Sequence, residues 1–217
     1  MTCPSLGLAT DLMEHAYGYD GPAGVLAGGR EVLGRFDHPL VRAMLYRVGD
    51  ETVAFVVGTE TLRQWLSNAN ARPVEVDGYR VHAGFWHAFG LLRPWLEEVR
   101  PDRIVGHSRG GSVAILACWR LLLPGIALCP ARVFKGRRPP LVRVCCVVVP
   151  DDRVTVLPFL PIGGAWSHGG LILRLPDSEP DLLEDHTCPR LAAELETYGV
   201  AHLVLDMRAV PASVPAA

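Results

Sequence analysis

Ser108 stands at the centre of Gly106-His107-Ser108-Arg109-Gly110, with Gly111 directly after. A serine in Gly-x-Ser-x-Gly can sit on a sharp turn from a strand into a helix, because the glycines leave room where a Cβ would obstruct. Such a turn lifts the hydroxyl clear of the sheet and sets it at a helix N-terminus, where backbone N–H groups stabilise negative charge. The alternative is a glycine-rich turn whose serine merely caps a helix. For the hydroxyl to attack a carbonyl it needs a general base, and the base needs an orienting carboxylate.

Where this turn carries a nucleophile, the chain order is Ser, then Asp or Glu, then His. Asp151 and Asp152 follow the apolar run Leu141–Val149. That is the strand end where parallel sheets present functional side chains, although two acids there could also form a plain strand-end turn. Of eight histidines, His15, His38 and His87 precede the serine, and His107 adjoins it but points away across the turn. His168 and His186 both follow the acids. His168 precedes the strand-like Leu171–Leu175, so it is expected at that strand's N-terminal end, away from the chemistry. His186 follows that strand in a loop leading to the last helix, which returns it to the active edge and makes it the preferred base. His202 lies in an apolar run and reads as structural.

The elements that must hold these residues are legible as alternating strands and helices. Leu6–Tyr17 has helical periodicity, and Thr52–Val57 is a buried strand ending at Gly58. Leu62, Trp65 and Leu66 share one helical face within Thr61–Asn68. Phe85–Val99 is a second helix that Pro94 must kink or restart. Arg103-Ile104-Val105 is a short strand into the serine turn, and Val113–Leu123 is a buried helix closed by Pro124-Gly125. Leu141–Val149 and Leu171–Leu175 are strands, and Pro189–Tyr198 is a closing helix. This alternation predicts an α/β fold, a mostly parallel central sheet with helices on both faces. One domain over 1–210 is expected, with 211–217 a loose tail of Pro, Ala, Ser and Val.

Composition narrows the chemistry. With 49% hydrophobic and 20% charged residues, the chain is expected to form an ordinary core. A formal net charge of -2 gives no reason to expect nucleic acid, and the basic run Arg132–Arg138 reads as a solvated turn. Lys135, inside that run, is the sole lysine, so no Gly-Lys-Ser/Thr phosphate loop exists. A Ser-Lys or Schiff-base mechanism would have to use a residue that looks exposed. The six cysteines lack zinc spacing and read as buried free thiols. With neither a signal-like leader nor an apolar run long enough for a span, a cytoplasmic protein is expected.

Five blocks in register carry a resemblance. Val57-Gly58-Thr59 with Trp65, Val81-His82-Ala83-Gly84-Phe85, Ile104–Gly111, Asp152-Arg153-Val154-Thr155-Val156-Leu157-Pro158 and Asp185-His186 resemble the fungal-type triacylglycerol lipases, the class 3 lipase family. The resemblance spans about Val53 to Tyr198 and implies the α/β-hydrolase fold. It implies a triad of Ser108, Asp152 and His186, choosing Asp152 over Asp151, with His168 the family's second, non-catalytic histidine. It also implies an oxyanion hole from Thr59 and the backbone N–H of Arg109, and a lid over about Glu60–Asn70 whose Leu62, Trp65 and Leu66 turn toward lipid or simply pack on the core.

A small-molecule or lipid ester is then the expected substrate, with no metal or organic cofactor. A phospholipase or thioesterase would use the same triad, and a non-catalytic binding module could keep the fold. Two departures stand out. Val57 replaces the family's arginine, and Arg109 stands where leucine is usual. A guanidinium there could favour an anionic substrate group, hold a lid, or be solvated and incidental.

Overall fold

The computed structural model describes residues 6–18, 31–58, 72–141, 143–149, 152–158 and 165–175. Through them the chain forms α1 (Leu6–Gly18), β1 (Glu31–His38), β2 (Val41–Val48), β3 (Glu51–Val57), β4 (Pro73–Val76), β5 (Tyr79–His82) and α2 (Ala83–Val99). It continues through β6 (Arg103–His107), α3 (Arg109–Leu121), β7 (Gly125–Leu128), β8 (Phe134–Lys135), β9 (Val144–Val148), β10 (Trp166–Ser167) and β11 (Leu171–Arg174). A short 3-10 turn, Arg153–Val156, follows β9.

Side-chain alternation explains why the central strands must be covered twice. Val53, Phe55 and Val57 of β3 enter one buried cluster, while Ala54 and Val56 enter the other. Ile104 and Val105 of β6 divide the same way, as do Ala127 against Ile126 and Leu128 in β7. A strand with both faces apolar is stable only between two layers. On one face lies α1, through Ala9, Leu12, Met13 and Ala16 at helical spacing. On the other lie α2, through Phe85, Ala88, Phe89, Leu92 and Leu96, and α3, buried from Gly110 to Cys118. Pro94 does not end α2. The carbonyl it leaves without a helical partner is that of Gly90, and Gly90 and Pro94 are both exposed, so water can satisfy it.

Among the described residues the main sheet runs β1-β2-β3-β6-β7-β9-β11. β1, β2 and β3 form an antiparallel meander. From β3 through β6, β7 and β9 to β11 every pairing is parallel. The fold is thus α/β with a mostly parallel sheet and helices on both faces, as the sequence predicts. A second, antiparallel sheet, β10-β8-β5-β4, lies beside it.

Lys135 corrects the reading of the basic run as a solvated turn. It lies buried in β8 with its ammonium 5.6 Å from the centre of the Trp166 ring. The long apolar stem and the cation–π contact make that burial tolerable. Arg137 and Arg138, past the strand, are exposed. Cys118, Cys129, Cys145 and Cys146 are buried free thiols, as expected. Among the described residues no helix is long and apolar enough to cross a membrane. The expected helices at Thr61–Asn68 and Pro189–Tyr198 and the tail at 211–217 lie outside the described residues.

At the edge of the sheet opposite Ser108, Arg103 binds Glu51 through two hydrogen bonds of 2.6 and 3.0 Å, tying β6 to β3. Both side chains are nearly inaccessible. Removing one partner of such a pair leaves an uncompensated charge, so Arg103→Ala should lower the unfolding free energy by about 3 kcal/mol. The double replacement Glu51→Leu with Arg103→Met should recover much of that loss, read by denaturant melts. A double variant no better than Arg103→Ala would contradict this account.

Candidate active site

Ser108 ends β6 with φ 57° and ψ −125°, a left-handed backbone that a residue with a Cβ rarely adopts. The flanking glycines are what allow it. A Cβ at Gly106 would come within 2.4 Å of the Gly110 carbonyl oxygen, and one at Gly110 within 2.2 Å of the Val56 carbonyl oxygen. The turn is pinned by the Ser108 N–H, which donates to Leu128 O at 2.9 Å, and by Ser112, whose hydroxyl donates to Ala131 O at 3.0 Å. The Ser108 side chain makes no cap hydrogen bond to α3. That removes the reading of Ser108 as a mere helix cap, because its hydroxyl does not perform the one function a cap has.

Asp152 lies at the same edge of the parallel sheet, just beyond β9, two strands from β6. It is buried, and its Oδ1 accepts the Val154 N–H at 2.8 Å while its main-chain carbonyl accepts the Thr155 hydroxyl at 2.7 Å. The Thr155 hydroxyl also reaches Val149 O at 3.3 Å. These bonds fix the carboxylate by its own turn, so its aim does not depend on a long flexible stem. Asp151 lies outside the described residues.

His168 sits closer to this loop than its place before β11 suggests. Its Nε2–H donates to the carbonyl of Pro130, beyond β7, at 2.9 Å, and Thr155's backbone is a second contact. Burial pulls its pKa down to about 4, against the raising effect of those backbone groups. A neutral ring engaged by backbone fits a histidine that braces the loops after β7 and β9. His186, the preferred base, and Thr59, the expected side-chain oxyanion donor, lie outside the described residues, as does the expected lid at Glu60–Asn70. Their neighbours are described. Gly58 packs so close to the serine turn that a Cβ there would stand 3.0 Å from the Ser108 Cβ. β11, which leads toward residue 186, runs parallel to β9 and therefore ends at the edge that carries Ser108 and Asp152.

No protein-family model matches this chain, and no curated protein matches it in sequence. Solved structures do match. A fungal lipase superimposes with a TM-score of 0.64 at 20% identity, covering 80% of this chain and 77% of that one. Rhizomucor miehei lipase in its propeptide complex gives 0.62 at 20% identity, over 81% of this chain and 68% of that one. The fold is that of the fungal lipases. A further match, one of a family of fungal lipases with an unusual buried polar cluster, gives 0.63 at 19% identity over 91% of both chains.

Within this lipase fold the structure adds two residues that spacing did not assign. The hydroxyl of Tyr17, from α1, accepts the Gly58 N–H at 2.9 Å and shares a hydrogen bond with His107 Nδ1 at 2.8 Å. One hydroxyl thus links the residue before Thr59 to the residue before Ser108. His82, from the His-Ala-Gly-Phe block, stacks on Phe85 at 4.1 Å between ring centres and lies 5.6 Å from Trp166. Burial, aided by the charge of Arg109, lowers its pKa to about 4. A cavity of about 480 Å³ lined by Tyr79, Trp119, Leu122 and Arg143 lies at the far end of α3, about 20 Å along the helix from Ser108, and belongs to no part of this arrangement.

Tyr17→Phe removes both hydrogen bonds and should lower the unfolding free energy by about 1–3 kcal/mol. If the hydroxyl sets the elbow, the same change should slow labelling of Ser108 by a fluorophosphonate; destabilisation with unaltered labelling would make Tyr17 a purely structural residue. His82 and His168 give a second expectation. The unfolded chain takes up their protons near pH 6.5 and the folded chain only near pH 4, so stability rises with pH across that window. Acidification from pH 7 to pH 4 should therefore weaken the fold by on the order of 1 kcal/mol per group per pH unit. Denaturant melts of His168→Gln should show a shallower pH slope than the wild type.

Proposed function

We propose that the protein is a serine hydrolase that cleaves carboxylic esters through an acyl-enzyme. The observation that carries this reading is Ser108 itself. A serine held in a left-handed turn between β6 and α3, its hydroxyl uncommitted to capping, is arranged at a cost of about 1–3 kcal/mol that a structural serine has no reason to incur. The fungal-lipase fold and the buried Asp152 at the same sheet edge support the reading.

In this mechanism His186 takes the proton from Ser108 as Oγ attacks the ester carbonyl. Asp152, rigid in its turn, holds the imidazole in the required tautomer and stabilises its cation. The amide N–H of Arg109, at the start of α3, and Thr59 receive the oxyanion of the tetrahedral intermediate; one such donor is typically worth about 10²–10³ in turnover. The alcohol leaves with the proton returned by His186, and water then deacylates Ser108 with His186 acting as base again. The lipase names of its structural neighbours favour a lipid ester, with acylglycerols the first class to try.

Wild-type protein should turn over p-nitrophenyl esters and take up a fluorophosphonate probe. Ser108→Ala should abolish both without lowering stability, because alanine keeps the Cβ and its backbone geometry and the lost hydroxyl makes no cap hydrogen bond. His186→Ala should be nearly as damaging to turnover, by at least about 10³-fold, and His168→Ala mild by comparison. Labelling that persists in Ser108→Ala would place the nucleophile elsewhere, and reversed histidine severities would make His168 the base. Acylglycerol, phospholipid and acyl-thioester substrates run side by side would separate a lipase from a phospholipase or thioesterase. A protein that binds these lipids but neither labels nor turns over would be a binding module on the hydrolase fold.

A further inference from the structure

Arg109 is placed against electrostatic preference. It is the first residue of α3, so its cation stands at the positive end of a helix dipole, where negative charge is favoured and positive charge is not. The side chain is half-buried, and burial pulls its pKa below the usual arginine value, so water does not fully compensate the charge. The first turn of α3 has no acid. Among the described residues the arginine ion pairs are Arg35–Asp37, Arg47–Glu31, Arg93–Glu97, Arg103–Glu51 and Arg120–Asp77, and none involves Arg109. Its titratable neighbour, His82, is buried and uncharged at neutral pH, and the Nδ1 atom of His82 makes no hydrogen bond. The start of α3 therefore carries a cation, a helix N-terminus and a neutral imidazole beside Ser108, and among the described residues no carboxylate forms an ion pair with that cation; Asp152, at the same sheet edge, is held in its own turn.

We propose that Arg109 is a specificity residue that binds an anionic group on the substrate, so that the preferred esters carry a carboxylate or phosphate a few bonds from the scissile carbonyl. This rests on the esterase reading above and narrows it. The residue then has two separate functions. Its main-chain N–H faces the oxyanion formed during the reaction, whereas its guanidinium meets a permanent anion of the bound ester, which it can grip through two parallel N–H donors. The half-buried setting strengthens that contact, since less water screens it. It also explains why a leucine would not serve at this position. An apolar side chain would remove the charge that a neutral acyl chain has no use for.

The test is a matched pair of activated esters of equal chain length, p-nitrophenyl valerate and the mono-p-nitrophenyl ester of glutaric acid, with a phosphate-terminated ester as a third arm. The glutarate or the phosphate ester should be favoured over valerate by about tenfold or more in kcat/KM, and whichever leads identifies the anion. Arg109→Leu should bring the anionic-to-neutral ratio to unity or below, and Arg109→Lys should retain part of it. A wild-type ratio at or below unity, or a ratio unchanged in Arg109→Leu, overturns the proposal. Calorimetry on Ser108→Ala protein separates its failure from that of the esterase reading. There the anionic ester should bind more tightly than valerate, and Arg109→Leu in the same background should erase the difference. That binding difference without turnover in wild-type protein would sink only the esterase reading; turnover without it would sink only the anion subsite.

Discussion

The structure is organised around one strained residue, Ser108. Its left-handed backbone is tolerable only because three neighbours lack a Cβ. Gly106 meets the Gly110 carbonyl, Gly110 meets the end of β3 at Val56, and Gly58 meets the Ser108 side chain itself. The requirement propagates outward. α3 must enter the sheet steeply enough for Gly110 to touch β3, and it is then buried along most of its length. β6 must lie between β3 and β7, because β3 supplies the wall at Val56 and β7 supplies the carbonyl of Leu128 that holds the Ser108 N–H. Packing over the whole domain core thus offsets a local cost that no contact at the turn could offset alone.

Parallel pairing does the next part. Because β3, β6, β7, β9 and β11 all run the same way, their C-terminal ends share one edge. Gly58, Ser108, Pro130 and Asp152 each follow a strand at that edge, although up to 94 positions separate them in sequence. Rigid strands fix where each loop begins, and backbone hydrogen bonds finish the placement. Asp152 is held by Val154 and Thr155, and His168 ties the loop after β7 to the one after β9. The neutral state of His168 matters here. A charged imidazole in that position would be disfavoured by its burial and would face the like charges of Arg132 and Arg174.

Much of this was legible in the residues, and the reasons are specific. β3, β6 and β9 announce themselves as short apolar runs because both their faces are buried, β11 does so by its Leu-Ile-Leu run although its residues are exposed or half-buried, and Ser108 is marked by glycines that the turn requires for steric reasons. Asp152 lies at the strand end where its place in the sequence puts it, while its choice over Asp151 rests on the resemblance alone. β1 and β2 escaped notice because charged residues interrupt them, and an edge meander needs less apolar surface than a central strand. Lys135 was misread because charge was taken as exposure, whereas its stem and ring contact let it lie buried in a two-residue strand that only pairing with β5 and β10 creates. Tyr17 could not be found locally at all. Its partners lie 41 and 90 positions away, and nothing in an amphipathic helix distinguishes a tyrosine that packs from one whose hydroxyl bridges two loops.

The polar groups at the edge that carries Ser108 are two histidines held neutral, the Asp152 carboxylate fixed in its own turn, and the Arg109 cation. His107 shares a hydrogen bond with Tyr17 through Nδ1, while His82 and His168 are kept neutral by burial. A site built to stabilise a transient oxyanion gains little from fixed charges nearby, because dipoles already in place respond without reorganisation. On the proposed esterase reading, Arg109 adds a permanent charge where the oxyanion needs only its amide. A permanent charge is matched by a permanent anion, present in the substrate before the carbonyl is attacked. Such a contact acts on which ester is held rather than on how fast a held ester reacts, except where holding it also sets the carbonyl against Ser108. The elbow can in this way separate two tasks within one residue: backbone for the chemistry, side chain for the choice of substrate.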